Sequence, residues 1–142
     1  MKITIKGSRL KLNKSLIDKK VREALEVALA EGAAIISTDA SNRAPVDMGN
    51  LTNSITYEVR VSKDGYRGIV FTNVEYAPYV EYGTGLYAEN GRGRKTGWYY
   101  KNSRGDWIFT RGQRPQPFLR PALEDNQAQV LKRIADKMRG SL

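Results

Sequence analysis

The pattern of apolar residues changes period near residue 13. Over residues 1–12 apolar and polar positions alternate, with Ile3 and Ile5 among lysines, which predicts a short basic arm or edge strand. Over residues 13–43 the apolar positions recur every three or four residues, which predicts a long helix. A helix of this length in a small domain either kinks at Gly32 or projects one end towards a partner.

A period of two returns in the middle of the chain. Residues 54–110 contain two pairs of strand-like runs, each pair separated by a glycine-containing turn, which predicts antiparallel hairpins. Residues 83–97 hold five glycines and few apolar anchors, so they predict a long flexible loop. Over residues 118–139 the apolar positions again have a helical period, which predicts a C-terminal helix.

The order of these elements predicts the fold class. Helix, antiparallel hairpins and helix in succession are typical of an α+β domain in which the long N-terminal helix and the C-terminal helix pack on a small sheet. No internal repeat or linker divides residues 1–142, so the chain is predicted to be a single domain.

Composition narrows the possible chemistry. The 142 residues include no cysteine and no histidine, which excludes disulfides, thiol nucleophiles, the usual zinc sites and imidazole triads. No apolar run reaches the length of a membrane span, and we expect assembly in a reducing cytoplasm without membrane contact. The sequence therefore predicts a protein that is not an enzyme, with no catalytic residue, metal or cofactor.

Two segments contain residues that suggest catalysis, but neither is interpreted as a catalytic motif. Glycines and basic residues of 83–96 have the composition of a phosphate loop, but Arg94 interrupts the order that such a loop requires. Glu75 and Glu81 could be imagined as a glycosidase pair, yet ion pairing at a sheet edge or between subunits is the better interpretation.

The net charge of +9 is unevenly distributed. Residues 1–22 carry +7, residues 23–90 carry −6 and residues 91–120 carry +7. Nine of the thirteen aromatic residues lie between Tyr76 and Phe109, beside the second basic segment. Aromatic rings among basic residues are typical of nucleic-acid-binding modules, but also of hairpin core faces and of protein interfaces. Both the binding module and the packing or interface interpretation stay open on this evidence.

Three segments together resemble one family. They are APVDMGNLTNSI at 44–55, YAPYVEYGTG at 76–85 and PQPFLRPAL at 115–123. In type, order and spacing they resemble signatures of the head-tail joining proteins of tailed phages, also called tail-completion or neck proteins, of lambdoid long-tailed phages and prophages. Met48 stands where the family signature has threonine.

The resemblance implies a structural virion protein without catalysis. It implies a homo-oligomeric ring, with six copies expected, at the head-tail junction, where the partners are the head connector and the tail tube or terminator proteins. The residues expected at subunit or partner interfaces are Tyr79, Glu81, Tyr82, Thr84, Tyr87, Arg92, Arg94 and Lys95. The motif residues expected to serve the fold are Pro45, Asp47, Gly49, Leu51, Ser54, Gly83, Pro117, Phe118 and Pro121.

Particular roles follow for some of these residues. We expect Glu81 to meet an arginine of a neighbouring subunit, and Gly49 to adopt a positive φ in a turn closed by Asp47. A basic module that binds nucleic acid without sequence preference, with weak contact to genome DNA, is the alternative function.

Overall fold

Two long helices pack against each other and against one face of a small sheet. The computed structural model describes residues 1–6, 19–46, 49–63 and 65–141. The elements are β1 (Lys2–Lys6), α1 (Lys19–Arg43), α2 (Gly49–Ser54), β2 (Thr56–Ser62), β3 (Gly65–Phe71), α3 (Ala77–Tyr82), a 3₁₀ turn (Gly85–Tyr87), β4 (Trp98–Lys101), β5 (Trp107–Thr110) and α4 (Leu119–Gly140). The predicted α+β class is confirmed, and the first residues of the predicted helix, 13–18, lie outside the described residues.

The main sheet has three antiparallel strands in the order β1-β3-β2. Ile3 and Tyr57 lie on either side of Val70 in the register, so the three share one face of the sheet. Val70 is fully buried, and Ile3 packs against the core. The alternation predicted from the sequence therefore places the apolar face of the sheet against the helices.

A close approach between α1 and α4 explains the glycine in the middle of the first helix. The helix runs unbroken through Gly32, and a Cβ built there would lie 2.5 Å from Cγ1 of Val130. Two ion pairs also join the helices, Lys137 to Glu31 at 2.7 Å and Arg43 to Asp125 at 2.6 Å. Gly32 thus serves helix packing, in a helix without a break.

The second hairpin is a separate two-stranded sheet. Strands β4 and β5 pair only with each other among the described residues. Tyr99, Trp107 and Phe109 are 67%, 66% and 50% exposed. The interpretation that alternate aromatics of both hairpins build the core face is therefore wrong for this hairpin, because within the described residues its strands join no other sheet and its aromatic side chains other than Trp98 are exposed.

Backbone hydrogen bonds tie the first part of the loop 83–97 to the crossing that precedes α4. The N–H of Thr84 donates to the carbonyl of Gln113 at 2.9 Å, and the N–H of Leu86 donates to Arg111 at 2.9 Å. The N–H of Glu89 donates back to Tyr82 at 3.0 Å. These bonds position the loop beside α3 although it supplies little apolar surface to the core.

Candidate interaction site

The six-residue helix α3 has one face in the core and one face exposed to solvent. Ala77 and Val80 lie in the core, whereas Tyr79 is 59% exposed. Pro78 occupies the first turn, where its missing N–H costs no helical hydrogen bond. The helix ends at Gly83, whose φ of 78° is in the region that favours glycine.

Gly83 also lies where three backbone segments meet. A Cβ at this position would lie 2.8 Å from the carbonyl oxygen of Tyr87 and 2.9 Å from that of Gln113. Any larger residue would separate α3 from the loop and from the crossing. The glycine predicted from the sequence to serve the fold therefore has a geometric reason to be there.

The carboxylate of Glu81 lies in the interior and caps α4. Its Oε2 accepts hydrogen bonds from the N–H groups of Phe118 at 2.8 Å and Leu119 at 3.0 Å. Its Oε1 accepts from the N–H of Arg120 at 3.0 Å and from the Nε of the same residue at 2.9 Å. These are N–H groups at the start of a helix, which have no partner within the helix, so a carboxylate from a distant element takes the place of a local N-cap.

Two opposing effects act on the pKa of Glu81. Burial on its own raises the pKa of the carboxyl group, but the hydrogen bonds from Phe118, Leu119 and Arg120 lower it, and the net pKa lies below the ordinary glutamate value. The side chain is therefore a buried carboxylate fully satisfied by donors of its own chain.

Arg120 connects this cap to the loop. Its Nη2 donates to Glu89 at 3.0 Å and to the backbone carbonyl of Glu81 at 3.2 Å, and its guanidinium lies 4.6 Å from the ring centroid of Tyr82. The hydrogen bond to Glu89, together with that to Glu81, raises the pKa of Arg120 against the opposing effect of burial. Three segments of chain thus converge on one guanidinium.

The expected intersubunit role of Glu81 is wrong. Its side chain is fully buried and its arginine partner, Arg120, belongs to the same chain. The sequence showed an acidic residue among tyrosines, but it could not show that a residue 39 positions later would fold back onto it.

A cleft of about 690 Å³ opens between α3 and the loop. It is lined by Pro78, Tyr79, Tyr82, Gly83, Thr84, Gly85, Ala88, Glu89, Asn90, Arg92 and Gly93. Gly85, with φ of 59°, forms part of its floor, and a Cβ there would lie 2.8 Å from the indole of Trp98. The cleft is therefore adjacent to the base of the second hairpin.

The cleft gathers four of the eight residues expected at interfaces, namely Tyr79, Tyr82, Thr84 and Arg92. Thr84 is partly committed to the fold, because its Oγ1 accepts a hydrogen bond from the N–H of Gln113 at 2.9 Å.

Three others lie outside the cleft. Tyr87 lies under the guanidinium of Arg114 at 5.0 Å, Arg94 lies 5.6 Å from the ring centroid of Trp98, and Lys95 is exposed. These three side chains therefore lie along the loop 83–97, which leads into the second hairpin.

The first motif forms a short helix, α2, that the sequence interpretation did not predict. Leu51 is fully buried, and the hydroxyl of Ser54 donates to the carbonyl of Leu51 at 2.7 Å and lies 2.6 Å from the hydroxyl of Thr72. Gly49 begins this helix without a positive φ, so the turn expected there is wrong, because the first residue of a helix has ordinary helical angles. Asp47 lies outside the described residues, and Pro45 follows the end of α1.

The third motif leads into α4. Phe118 and Leu119 are fully buried, while Pro117 is exposed one residue before them. Pro121 lies in the first turn of the helix, where no N–H is required. The prolines thus direct the chain, and Phe118 and Leu119 attach the helix to the core.

The sequence interpretation did not identify Arg120 or the exposed second hairpin as site features. A basic residue at the start of α4 is unusual for a helix N-terminus, which favours acidic residues, and this was a usable signal. The exposure of Tyr99 and Trp107 had no comparable signal, because an alternating aromatic run is equally typical of a buried strand.

The described residues contain no group of histidine, cysteine, aspartate or glutamate side chains arranged to hold a metal ion. Within the same residues, no helix is long and apolar enough to cross a membrane.

The geometry defines a class of protein: a small α+β domain whose core is closed and whose apolar and cationic side chains are displayed at a cleft and on a hairpin. Such a surface is typical of proteins that act by contact with other macromolecules.

A family model described as "Bacteriophage HK97-gp10, putative tail-component" matches residues 9–83, just over half of the chain. The chain belongs to this family of phage tail components, and it is a structural protein of the phage virion. No curated protein matches the chain, and no solved structure matches it.

Proposed function

We propose that this protein forms a ring of six copies at the head-tail junction, where it joins the head connector to the tail tube or its terminator. The observation that carries the proposal is the large apolar surface outside the core, on the second hairpin and at the cleft, in a member of a tail-component family. A subunit of a ring needs two separate contact surfaces, one for each neighbour, and needs further surface for the structures above and below it.

The distribution of charge supports the same proposal. The cationic segment 91–120 includes the whole second hairpin. Of the three glutamates in the preceding residues 68–90, Glu81 is buried and Glu89 pairs with Arg120, so the exposed charge of this region is mainly positive and suits contact with an acidic partner.

Virion assembly in the phage that encodes the chain tests the junction role. A nonsense mutation in its gene should leave DNA-filled heads and complete tails that remain separate under the electron microscope. Supplying the wild-type protein in trans should join them. Absence of tails in the mutant would contradict the junction role and assign the protein to tail assembly instead.

The ring is tested with the purified protein. Light scattering should show a species of six times the 16.0 kDa chain mass, and negative-stain images should show rings. A stable dimer as the largest species would overturn the ring and leave the junction role to be tested by the nonsense mutant alone.

Nucleic-acid binding is a second candidate function, because basic side chains lie next to aromatic rings at the surface of the protein. Lys101 lies 5.4 Å from the ring centroid of Trp107, and Arg94 lies over Trp98. Aromatic stacking platforms act on unstacked single-stranded bases, whereas a packaged genome is a duplex, so only weak, salt-dependent phosphate contacts are expected.

A further inference from the structure

The second hairpin exposes large apolar side chains on both faces. Its register places Tyr99 opposite Phe109, with ring centroids 5.2 Å apart, and Tyr100 opposite Ile108 on the other face. All four side chains are exposed. Residues 98–110 carry only two basic side chains and one acidic side chain, so the charge of the hairpin itself nearly cancels. Monomeric proteins seldom display contiguous apolar surface of this kind, and the hairpin therefore has the properties of a contact surface.

The turn of the hairpin is held in one conformation by hydrogen bonds of its own residues. The side-chain oxygen of Asn102 accepts from the N–H groups of Arg104 and Asp106, both at 2.9 Å. The N–H of Asn102 donates to the carbonyl of Asp106 at 2.9 Å, and Gly105 completes the turn with a φ of 86°. Because the hairpin is already ordered, its binding to a partner costs less conformational entropy than the binding of a flexible loop.

A group of cations lies at the base of the hairpin, in the segments 91–97 and 111–117 that lead into and out of it. The basic residues of these segments, called the basal cations below, are Arg92, Arg94, Lys95, Arg111 and Arg114. The two segments contain no acidic residue, and both pack against Gly85, through Gly93 and through the carbonyl of Arg111. All five side chains are exposed, and none has a carboxylate within ion-pair distance among the described residues. The base of the hairpin therefore carries uncompensated positive charge.

A second copy of the chain does not supply a matching acidic surface. Most carboxylates of the described residues are already in ion pairs within the chain. The described carboxylates without an ion pair are Glu26, Glu75, Asp106 and Glu124. They lie on α1, before α3, in the hairpin turn and on α4, so they form no common patch. The acidic groups that pair with the basal cations therefore come from a different molecule.

The apolar strands favour a protein over a DNA duplex as that molecule. A duplex presents phosphates and polar base edges, which suit the basal cations but offer no apolar pocket to Ile108 and Phe109. Protein interfaces combine an apolar centre, rich in aromatic residues, with a polar rim. The hairpin has this arrangement, because its strands are apolar and the cations lie at its base.

We infer that the second hairpin binds in an apolar pocket with an acidic rim on a virion protein other than this chain. The exposed side chains of β4 and β5 fill the pocket, and the basal cations pair with carboxylates of the rim. The inference rests on the proposed junction role, because it assigns the hairpin to the contact with a different virion protein and leaves the contacts between ring subunits to other surfaces.

Site-specific photocross-linking in phage particles tests the identity of the partner. The nonsense mutant is complemented in trans with a chain in which the photoreactive analogue p-benzoylphenylalanine replaces Phe109. Joined particles and separate heads and tails are irradiated alike. We expect an adduct with one other virion protein, attached within a group of apolar residues flanked by aspartate or glutamate. The same analogue at Leu131, an exposed apolar position on α4, is the control and should not give this adduct.

Every other result overturns the inference. An adduct with a second copy would assign the hairpin to the ring contact, and an adduct with DNA would assign it to the genome. An adduct at a site without acidic residues would remove the rim, and equal adducts from the control would remove the assignment to the hairpin. Absence of any adduct in infectious particles would show that the hairpin stays free. All of these results leave the junction role intact, since that role fails separately, when the wild-type chain does not join heads to tails.

The apolar part of the contact is measured with the protein that the adduct identifies. Trp107→Ser removes an exposed ring of the hairpin and should weaken binding to that protein by roughly 30-fold, the effect of losing an aromatic hot spot. Leu131→Ser should leave binding unchanged. Light scattering should show the same self-association for both variants as for the wild type. Equal loss of binding from both variants, or loss of self-association from Trp107→Ser alone, would overturn the inference.

The basal cations are tested with a charge-matched pair of double variants. Arg92→Gln with Lys95→Gln should slow association with the same protein by roughly tenfold at low salt, and the difference should vanish above about 0.5 M salt, where the charges are screened. Lys132→Gln with Arg133→Gln removes the same two charges from exposed positions on α4 and should have no comparable effect. Equal slowing by both double variants would show a dependence on net charge alone and would overturn the acidic rim.

Discussion

The core and the second hairpin use large apolar side chains in opposite ways. Phe118, Leu29 and Ile36 are fully buried between the helices and the main sheet, whereas Tyr99, Trp107 and Phe109 remain in solvent. The first group contributes to the free energy of folding, because its apolar surface leaves water when the chain folds. The second group keeps that surface in solvent, where it is available for association. Similar residues thus stabilise either the subunit or the assembly, according to where the chain places them.

The charged groups differ in the same way. At the edge of the core, the buried Glu81 and the partly exposed Arg120 form an ion pair, and Glu81 also caps a helix. Arg94 on the loop, Lys101 on the hairpin and Arg114 on the crossing lie over aromatic rings, and none of them has a carboxylate within ion-pair distance in the described part of the chain. The positive charge of the outer region is therefore uncompensated, as expected of a surface that meets an acidic partner.

The largest expected difference between the core and the second hairpin comes from replacing a phenylalanine by alanine in each of them. Phe118→Ala should lower the free energy of unfolding by about 3–5 kcal/mol, because it creates a cavity in the core. Phe109→Ala, the same change on the hairpin, should cost less than about 1 kcal/mol. Urea denaturation of both variants measures the difference. Equal losses would show that the hairpin belongs to the core.

A smaller effect is expected from the buried cap. Glu81→Gln replaces a carboxylate that accepts four hydrogen bonds and should cost about 2–3 kcal/mol at neutral pH. Glu75→Gln, at an exposed position two residues before α3, should cost almost nothing and is the control. Thermal melts of the two variants give the comparison.

The pH dependence of the cap has a definite sign. Because the folded protein lowers the pKa of Glu81, its stabilising effect is complete above the unfolded value of about 4.3 and is lost as the pH falls through the lower folded value. The gap in stability between wild type and Glu81→Gln should therefore be widest at neutral pH and should close in acid. A gap that stays constant down to strongly acidic pH would contradict the role of the ionised carboxylate.

Helix packing gives a still smaller effect. Gly32→Ala should destabilise the protein by about 1–3 kcal/mol, because the new methyl group meets Val130. Gly49→Ala adds the same group at the first residue of α2, where no atom of the described residues lies within 4 Å, and should be neutral or slightly stabilising. Chemical denaturation distinguishes them. A neutral Gly32→Ala would mean that the two helices can separate without loss.

The smallest effect on stability is expected from the cations of the hairpin. Arg104→Gln should change the free energy of unfolding by less than about 0.5 kcal/mol. If the hairpin contacts DNA phosphates, the same change should weaken binding to any duplex and reduce the salt slope by about one unit per lost contact. Fluorescence anisotropy with two unrelated duplexes measures this. Tight binding to one duplex that is insensitive to salt would contradict the connector function.

Local patterns determined much of the fold. The period of α1, the alternation of β2 and β3 and the glycine turns are properties of neighbouring residues, so the sequence alone predicted helix, hairpins and helix in the right order. Local signals also mark α3, where Pro78 lies in the first turn and Gly83 ends the helix. They did not predict α2, whose six residues are too few to show a helical period.

Only the tertiary structure decided which side chains work together. The pairing of Glu81 with α4 and the approach of Val130 to Gly32 join residues far apart in sequence, and no local pattern encodes such contacts. The exposure of the hairpin is decided the same way, because an alternating aromatic strand is buried when another layer covers it and exposed when none does. The sequence by itself determined the two long helices, the two hairpins and the family. Which side chains are buried depends on what packs against each element, so only the tertiary structure decided it.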